Sequence, residues 1–276
     1  QPIAAFKVRG GINLISQLSP EEKKQGVITV STGNHAQSIA YAARIFGVKA
    51  TIVMPQKANP GKVAATKGLG AEVILHGESF DEARSRCEEL TEEQGLRYVH
   101  PANELPLIAG VATETLEMLE KEPDLEAIYV PLGGGSGASG ACIVSQAVNP
   151  AIRVVAVQSE AAPAGCLSWQ KQELVEAPTQ TQADGLATTC GFELPQAILG
   201  RYLADFVLIS DEEIFRAMGW LMARAHTLAE AAGAAPLGAI YRQRSQLAGR
   251  KVGFVLTGGN TSFEHLRMAL DLVQEG

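Results

Sequence analysis

The chain has 276 residues, 46% of them apolar and 19% charged, which is enough to bury a large core and to divide into two lobes. A formal charge of −7 and a pI near 5.4 argue against a nucleic-acid partner, which would want a basic stripe. No apolar run reaches transmembrane length and no signal-peptide pattern is present, so no membrane partner is expected.

The four cysteines, Cys87, Cys142, Cys166 and Cys190, are scattered without a C-x-x-C spacing and read as reduced, mostly buried thiols of a cytoplasmic protein. The chain opens at Gln1 without a methionine and enters motif-like sequence at once, so part of the natural protein is expected to precede it. With Gly276 last, no regulatory domain and no feedback control are expected within this chain.

The first segment reads QPIAAFKVRGG, followed by apolar residues at helical spacing from Ile12 to Leu18. Lys7 is therefore expected just before a helix, at its positive end and among apolar neighbours. Both effects disfavour its charge, and a lysine of depressed pKa can form a Schiff base with an aldehyde. The plainer alternative is an exposed lysine snorkelling from a helix start. Val27–Val30 is a buried strand, and Ser31-Thr32-Gly33-Asn34-His35 leads into a helix from Ala36 to Phe46. Two hydroxyls, an amide and an imidazole beside a helix N-terminus suit a carboxylate, although the same residue types also serve as ordinary N-caps.

A strand at Thr51–Met54, a helix from Pro60 to a Gly68/Gly70 stop, a strand at Ala71–Leu75, a charged helix at Asp81–Glu93 and a strand at Arg97–Val99 follow. This alternation indicates a parallel α/β lobe, residues 26–101. Leu107–Glu120 reads as a helix. The run Ile128–Leu132 then stops at Gly133-Gly134-Gly135-Ser136-Gly137-Ala138-Ser139-Gly140, with a helix expected from Ala141 to Val148.

Strand, glycine loop and helix start together form an anion cradle that suits a phosphate. Gly135, Gly137 and Gly140 also fit G-x-G-x-x-G, with Glu160 about twenty residues on as a ribose-binding acid, so a nicotinamide-dependent oxidoreductase competes. Tight strand-to-helix packing alone is the third reading of the loop.

Val154–Val157 is a further strand, and Ala161 to Gln182 reads as irregular apart from a helix around Cys166–Glu173. Asp184–Ala187 is turn-like, Phe206–Ile209 a strand, and Asp211–Arg224 a helix capped by Ser210. An alanine-rich helix from Ala234 to Leu247 precedes a last strand, Val252–Leu256, which ends in Thr257-Gly258-Gly259-Asn260. Residues 1–25 are assigned with 102–276 to a larger α/β domain, and no internal repeat is visible.

Four ordered motifs, AFKVRGG, STGNHAQ, PLGGGSG and LTGGN, make the chain resemble the serine/threonine dehydratases from Phe6 to about Asn260. These are pyridoxal-phosphate enzymes of fold type II, the tryptophan synthase β-like superfamily, which also includes serine racemases. The resemblance implies a two-lobed α/β fold, each lobe a mostly parallel sheet flanked by helices, and a homodimer.

It implies that Lys7 bonds the cofactor aldehyde with Phe6 packed near the ring, and that Asn34 hydrogen-bonds the cofactor's 3′-oxygen. Ser31, Thr32, Asn34 and His35 would receive the substrate carboxylate. Gly133, Gly134, Gly135, Ser136 and Gly137 would hold the phosphate, and Thr257 would face the pyridine nitrogen. The small lobe, 26–101, would carry the carboxylate loop, and the large domain the lysine and the phosphate loop.

The implied reaction is elimination from a β-hydroxy amino acid such as L-threonine or L-serine to a 2-oxo acid and ammonia. Lys7 would act as base on the α-proton, the β-hydroxyl would leave with help from the cofactor phosphate, and the released enamine would hydrolyse. A hydroxyl at Thr257 makes the ring a weaker electron sink than a carboxylate partner would, which suits prompt loss of a β-substituent. Racemisation needs a second acid/base, a serine in racemases where Thr32 stands here, and is the alternative within the family. A non-catalytic amino-acid-binding relative is the other, with Lys7 and Asn34 counting against it.

The chain also departs from the family's pattern. The usual G-Q-G-T reads Gly110-Val111-Ala112-Thr113, and Ser136 replaces a fourth glycine. The divalent-cation positions of racemase-like members fall on Gln158, Ala162 and Ala164, so no metal is expected there. These departures suggest an unusual member, with a substrate that need not be threonine.

Overall fold

The computed structural model describes residues 1–274. Its elements in chain order are α1 (Lys7–Ser16), α2 (Pro20–Gln25), β1 (Val27–Val30), α3 (Asn34–Phe46), β2 (Ala50–Met54), α4 (Pro60–Gly68), β3 (Glu72–Leu75), α5 (Phe80–Gln94) and β4 (Arg97–Tyr98). They continue as α6 (Leu105–Lys121), β5 (Ala127–Pro131), α7 (Ser136–Val148), β6 (Arg153–Ser159) and α8 (Ala164–Lys171). After a 3-10 turn at Asp184–Leu186 come α9 (Glu193–Tyr202), β7 (Asp205–Ile209), α10 (Asp211–Ala225), α11 (Ala231–Arg242), β8 (Val252–Phe254) and α12 (Phe263–Gln274).

The chain forms two compact units, Gln1–Val111 and Ala112–Gly276, the division falling within α6. Each contains one four-stranded, all-parallel sheet. The strand orders are β3-β2-β1-β4 in the first unit and β7-β6-β5-β8 in the second. The fold is therefore the α/β architecture with two parallel sheets that the motifs imply. The orders are the same arrangement shifted by four strands, a repetition of topology that the sequence does not show.

The central strands β1, β2 and β5 are buried at every position. A parallel strand covered by helices on both faces must be apolar throughout, which is why VITV, ATIVM and AIYVP show no alternation. In the first unit, one sheet face packs Val27, Ile52 and Met54 with Ile39 and Ala43 of α3, while the other packs Ile28, Val30 and Val53 with Ala83, Cys87 and Leu90 of α5. The second unit repeats this layering. Tyr129, Val155 and Val157 meet α10 and α11 on one side, and Ile128, Val130 and Ala156 meet α7 and α9 on the other. The edge strand β3 is largely open, and its Glu72 pairs with Lys49 at 3.0 Å. Among the described residues no helix is long and apolar enough to cross a membrane.

The glycine-rich helix starts differ most from the sequence reading. α1 begins at Lys7 rather than at Ile12, with Gly10 and Gly11 inside it. A Cβ at Gly11 would lie 2.3 Å from Ser38 Oγ on α3, and one at Gly10 would lie 2.6 Å from Leu107 Cδ2 on α6. The two glycines thus let α1 sit directly on its neighbours, and that packing offsets their poor helix propensity. α7 likewise begins at Ser136 rather than Ala141, because Gly140 allows contact with Ala112, whose Cα would lie 2.9 Å from an added Cβ.

α2, α9 and α12 lie outside the elements that the sequence predicts. α2 has no buried residue, and its signal lies in a capping box of Ser19 and Glu22 with Pro20 at the first position. Ser210 caps α10 as expected, through a capping box with Glu213. Gly11→Ala is expected to destabilise the protein by about 1–3 kcal/mol, the usual cost of overpacking, with no change in the unfolding m-value in a urea titration.

Candidate active site

In an open parallel sheet, ligands bind beyond the carboxyl ends of the strands at the point where strand order reverses. In the first unit that point lies between β1 and β4, and in the second between β5 and β8. The loops that leave these four strands are Ser31–His35, Val99–Pro101, Leu132–Gly137 and Val255–Gly258. Three of them carry the motifs STGNHAQ, PLGGGSG and LTGGN.

Lys7 is the first residue of α1, with Phe6 in front of it and both half-buried. Its Nζ lies 3.5 Å from the Pro101 carbonyl oxygen and 5.3 Å from the centre of the Phe6 ring. Its backbone carbonyl accepts a hydrogen bond from Ser38 Oγ at 2.5 Å. α3 therefore holds the backbone of the lysine, and the loop after β4 holds its amine.

The N-cap of α3 is Gly33, which has no side chain with which to cap the helix. Ser31 Oγ instead accepts the Gly33 N–H at 3.2 Å. Ser31, Thr32 and Asn34 are half-buried, and Asn34 opens the helix. A helix start with glycine at its N-cap offers amide donors and partial positive charge to an anion.

His35 points inward and is 5% exposed. Thr29 Oγ1 donates to the Val99 carbonyl at 2.7 Å and lies 3.1 Å from His35 Nε2, so it accepts the imidazole proton there. Nδ1 is left buried without a hydrogen-bond partner. Burial pulls the His35 pKa down to about 3, helped by the charge of Lys7 and the proximity of His100 against an opposing hydrogen bond to Val99. The ring is neutral at physiological pH, which keeps positive charge away from the lysine.

In the second unit, Gly133 and Gly134 are half-buried and Gly135 to Gly137 buried. Gly135 adopts φ +90°, a conformation costly for any residue with a Cβ, and it caps α7 without a side-chain hydrogen bond. A Cβ at Gly133 would lie 2.1 Å from the Gly185 carbonyl oxygen, and one at Gly185 would lie 2.7 Å from Ala232 Cβ. The 3-10 turn is thus wedged between the glycine loop and the start of α11. Thr257, 4% exposed, follows β8, and its backbone N would lie 3.3 Å from a Cβ on Gly233 of α11.

Gly185 and Pro101 were not singled out from sequence. The Asp184-Gly185 turn and the strand-ending His100-Pro101 were the available signals.

Glu160, the acid a ribose would need, pairs with Arg242 at 3.0 Å. At the cation positions, Gln158 is fully buried, accepting the Cys166 N–H at 3.2 Å through Oε1 and donating to Thr188 Oγ1 at 3.4 Å through Nε2. Ala162 and Ala164 are fully buried. Cys87, Cys142 and Cys166 are buried and Cys190 partly so, all as free thiols, and burial pushes Cys87 and Cys142 up to about 12 and Cys166 to about 11.

Within the second unit the glycine loop presents backbone at positions where a side chain would clash, and within the first Lys7 offers an amine, each by itself a kind of group that pyridoxal phosphate uses. As for stability, unfolding frees His35 to titrate near 6.5, whereas the folded ring resists protonation down to about 3. Its contribution is present above pH 6.5 and declines as pH falls towards 3. Urea titrations are expected to show a shallower loss of stability over that window in His35→Asn than in the unsubstituted protein.

The pyridoxal-phosphate dependent enzyme family matches residues 1–258. An L-threonine ammonia-lyase from Thermotoga maritima is 41% identical over 262 residues, 94% of this chain and 65% of the relative. A catabolic L-threonine dehydratase from Staphylococcus aureus is 39% identical, covering 93% of this chain and 75% of the relative. The processed form of threonine deaminase isoform 2 from Solanum lycopersicum superposes with a TM-score of 0.95 at 30% identity, covering 100% of this chain and 77% of that one. Serine racemase from Dictyostelium discoideum gives 0.89 at 34% identity, over 95% and 85% of the two chains. The chain spans about two thirds of the length of the Thermotoga relative, or 65%. Together with the four motifs at the strand ends, these similarities show that the chain belongs to the pyridoxal-phosphate dependent enzyme family of fold type II, alongside the threonine dehydratases and serine racemases.

Proposed function

We propose that the protein eliminates water from a β-hydroxy amino acid, L-threonine or L-serine, giving a 2-oxo acid and ammonia, as a pyridoxal-phosphate-dependent ammonia-lyase. The observation that carries this reading is local to the first unit. An ε-amino group heads α1, Ser38 of α3 holds its backbone, and α3 starts from Gly33, which has no capping side chain of its own. An amine that can take an α-proton and a helix start that can take an α-carboxylate are the two things an amino-acid substrate needs. Relatives named for threonine, similar over more than nine tenths of this chain, support the substrate class.

Bound pyridoxal phosphate supplies an aldehyde for amines and an electron sink for the α-carbon. Lys7 and Phe6 are assigned to its ring face, Asn34 to its 3′-oxygen, Gly133, Gly134, Gly135, Ser136 and Gly137 to its phosphate, and Thr257 to its ring nitrogen. Ser31, Thr32 and Asn34 are assigned to the substrate carboxylate; His35, assigned there from the motif, can take part only through its backbone N–H, because its ring is buried on Thr29 with an unprotonated Nδ1. Lys7 Nζ takes the α-proton. Thr257 offers a neutral hydroxyl where an acid would hold negative charge longer, which favours prompt loss of the β-hydroxyl over racemisation.

The same proposal assigns residues 26–101 to the carboxylate domain and residues 1–25 with 102–276 to the cofactor domain. It includes a homodimer and a cytoplasmic location, the latter consistent with four free thiols.

Incubation with pyridoxal phosphate and L-threonine or L-serine is expected to release 2-oxo acid, and Lys7→Ala to lower turnover by about 1,000-fold or more. Lys7→Ala should also abolish the cofactor's visible protein-bound band; a band and turnover that survive the substitution would overturn the assignment of Lys7.

A further inference from the structure

The loop after β4 bears on Lys7 although its sequence, His100-Pro101-Ala102-Asn103-Glu104, belongs to none of the four motifs. The imidazole of His100 turns back on its own loop. Its Nδ1 accepts the backbone N–H of Ala102 at 3.0 Å and that of Asn103 at 2.8 Å. A nitrogen that accepts two amides carries no proton, so the bend exists only with the ring neutral.

The far end of the loop is tied as firmly. Glu104, 8% exposed, pairs with both terminal nitrogens of Arg97 at 2.8 and 2.9 Å and accepts the His100 N–H at 3.3 Å. Between these two anchors lies Pro101, whose carbonyl oxygen stands 3.5 Å from Lys7 Nζ.

We propose that His100 is a positioning residue for Lys7: its Nδ1 clamps the Ala102 and Asn103 amides and thereby presents the Pro101 carbonyl to the ε-amino group. This rests on the reading of Lys7 as the base. A carbonyl in that place fixes where the amine stands and stabilises it once it has gained a proton.

Protonation of His100 would remove the acceptor and release the bend. Burial lowers its pKa first of all, Glu104 opposes this, and the charges of Arg84 and Lys7 add to the lowering. The Tyr98 ring packs edge-on at 6.1 Å without charge of its own. The clamp is therefore intact at neutral pH and lost only on acidification below the ordinary histidine range.

The test compares the cofactor-loaded protein with His100→Ala and His100→Asn, the asparagine oxygen being able to accept the same two amides. His100→Ala is expected to lower kcat roughly ten-fold with KM within two-fold, and to slow the bonding of added pyridoxal phosphate to its apoprotein, followed by visible absorbance. His100→Asn is expected to recover most of both rates and to lose the acid limb that His100 imposes on the kcat–pH profile.

Borohydride trapping with peptide mass spectrometry locates the cofactor in the unsubstituted protein. Absence of label at Lys7 overturns the reading of Lys7 and the positioning role with it. Label at Lys7 together with an unaltered kcat in His100→Ala overturns the positioning role alone, as does a His100→Asn variant as slow as His100→Ala. If His100→Ala does not fold, the acid limb decides: its persistence in His100→Asn overturns the proposal, and its loss supports it.

Discussion

The contact between α1 and α3 is the constraint on which the first unit's chemistry depends. Ser38 Oγ reaches the carbonyl of Lys7 at 2.5 Å only because Gly11 leaves the space. Any side chain at that position would occupy the place of the hydroxyl. The bond joins the residue that carries the amine to the helix that starts from Gly33. Gly110 closes the arrangement from α6, where a Cβ would lie 2.4 Å from the Arg9 carbonyl oxygen. The glycines of RGG thus act through packing, and the lysine gains a fixed backbone from them.

The second unit uses close backbone approach in the same way. Gly133, Gly185 and Ala232 stack so that the glycine loop, the 3-10 turn and the start of α11 have no room for larger side chains. Gly233 continues the contact towards Thr257 and Gly258, and the Glu230 N–H donates to the Gly258 carbonyl at 2.9 Å. Loop, turn and helix start pack directly on one another, the loop against the turn's backbone and the turn against Ala232. Preorganised amides of this kind bind an anion without paying to order themselves first.

Much of this was legible in the chain itself. The all-apolar runs at Val27, Thr51 and Ile128 could only be strands covered on both faces, and the alternation with helices gave parallel α/β units. The order of AFKVRGG, STGNHAQ, PLGGGSG and LTGGN carried the family. What was misread was local. A local reading puts Lys7 before the helix that it in fact opens and starts α7 five residues late, because glycine weighs against helix in any such reading. α2 was missed because a six-residue helix with no buried face has no apolar period to detect.

Sequence by itself determined which segments become strands, which residue types crowd around an anion, and which family the chain resembles, since these follow from hydropathy, glycine content and motif order along the chain. Only the tertiary structure decided that the two sheets share one strand order, that the motif loops leave the strands flanking each reversal, and that Pro101 stands against the amine of Lys7. Those facts depend on contacts between residues as far apart as Lys7 and Pro101 or Gly133 and Gly185. No local pattern encodes such a pairing, because it is set by how helices and sheets pack once formed.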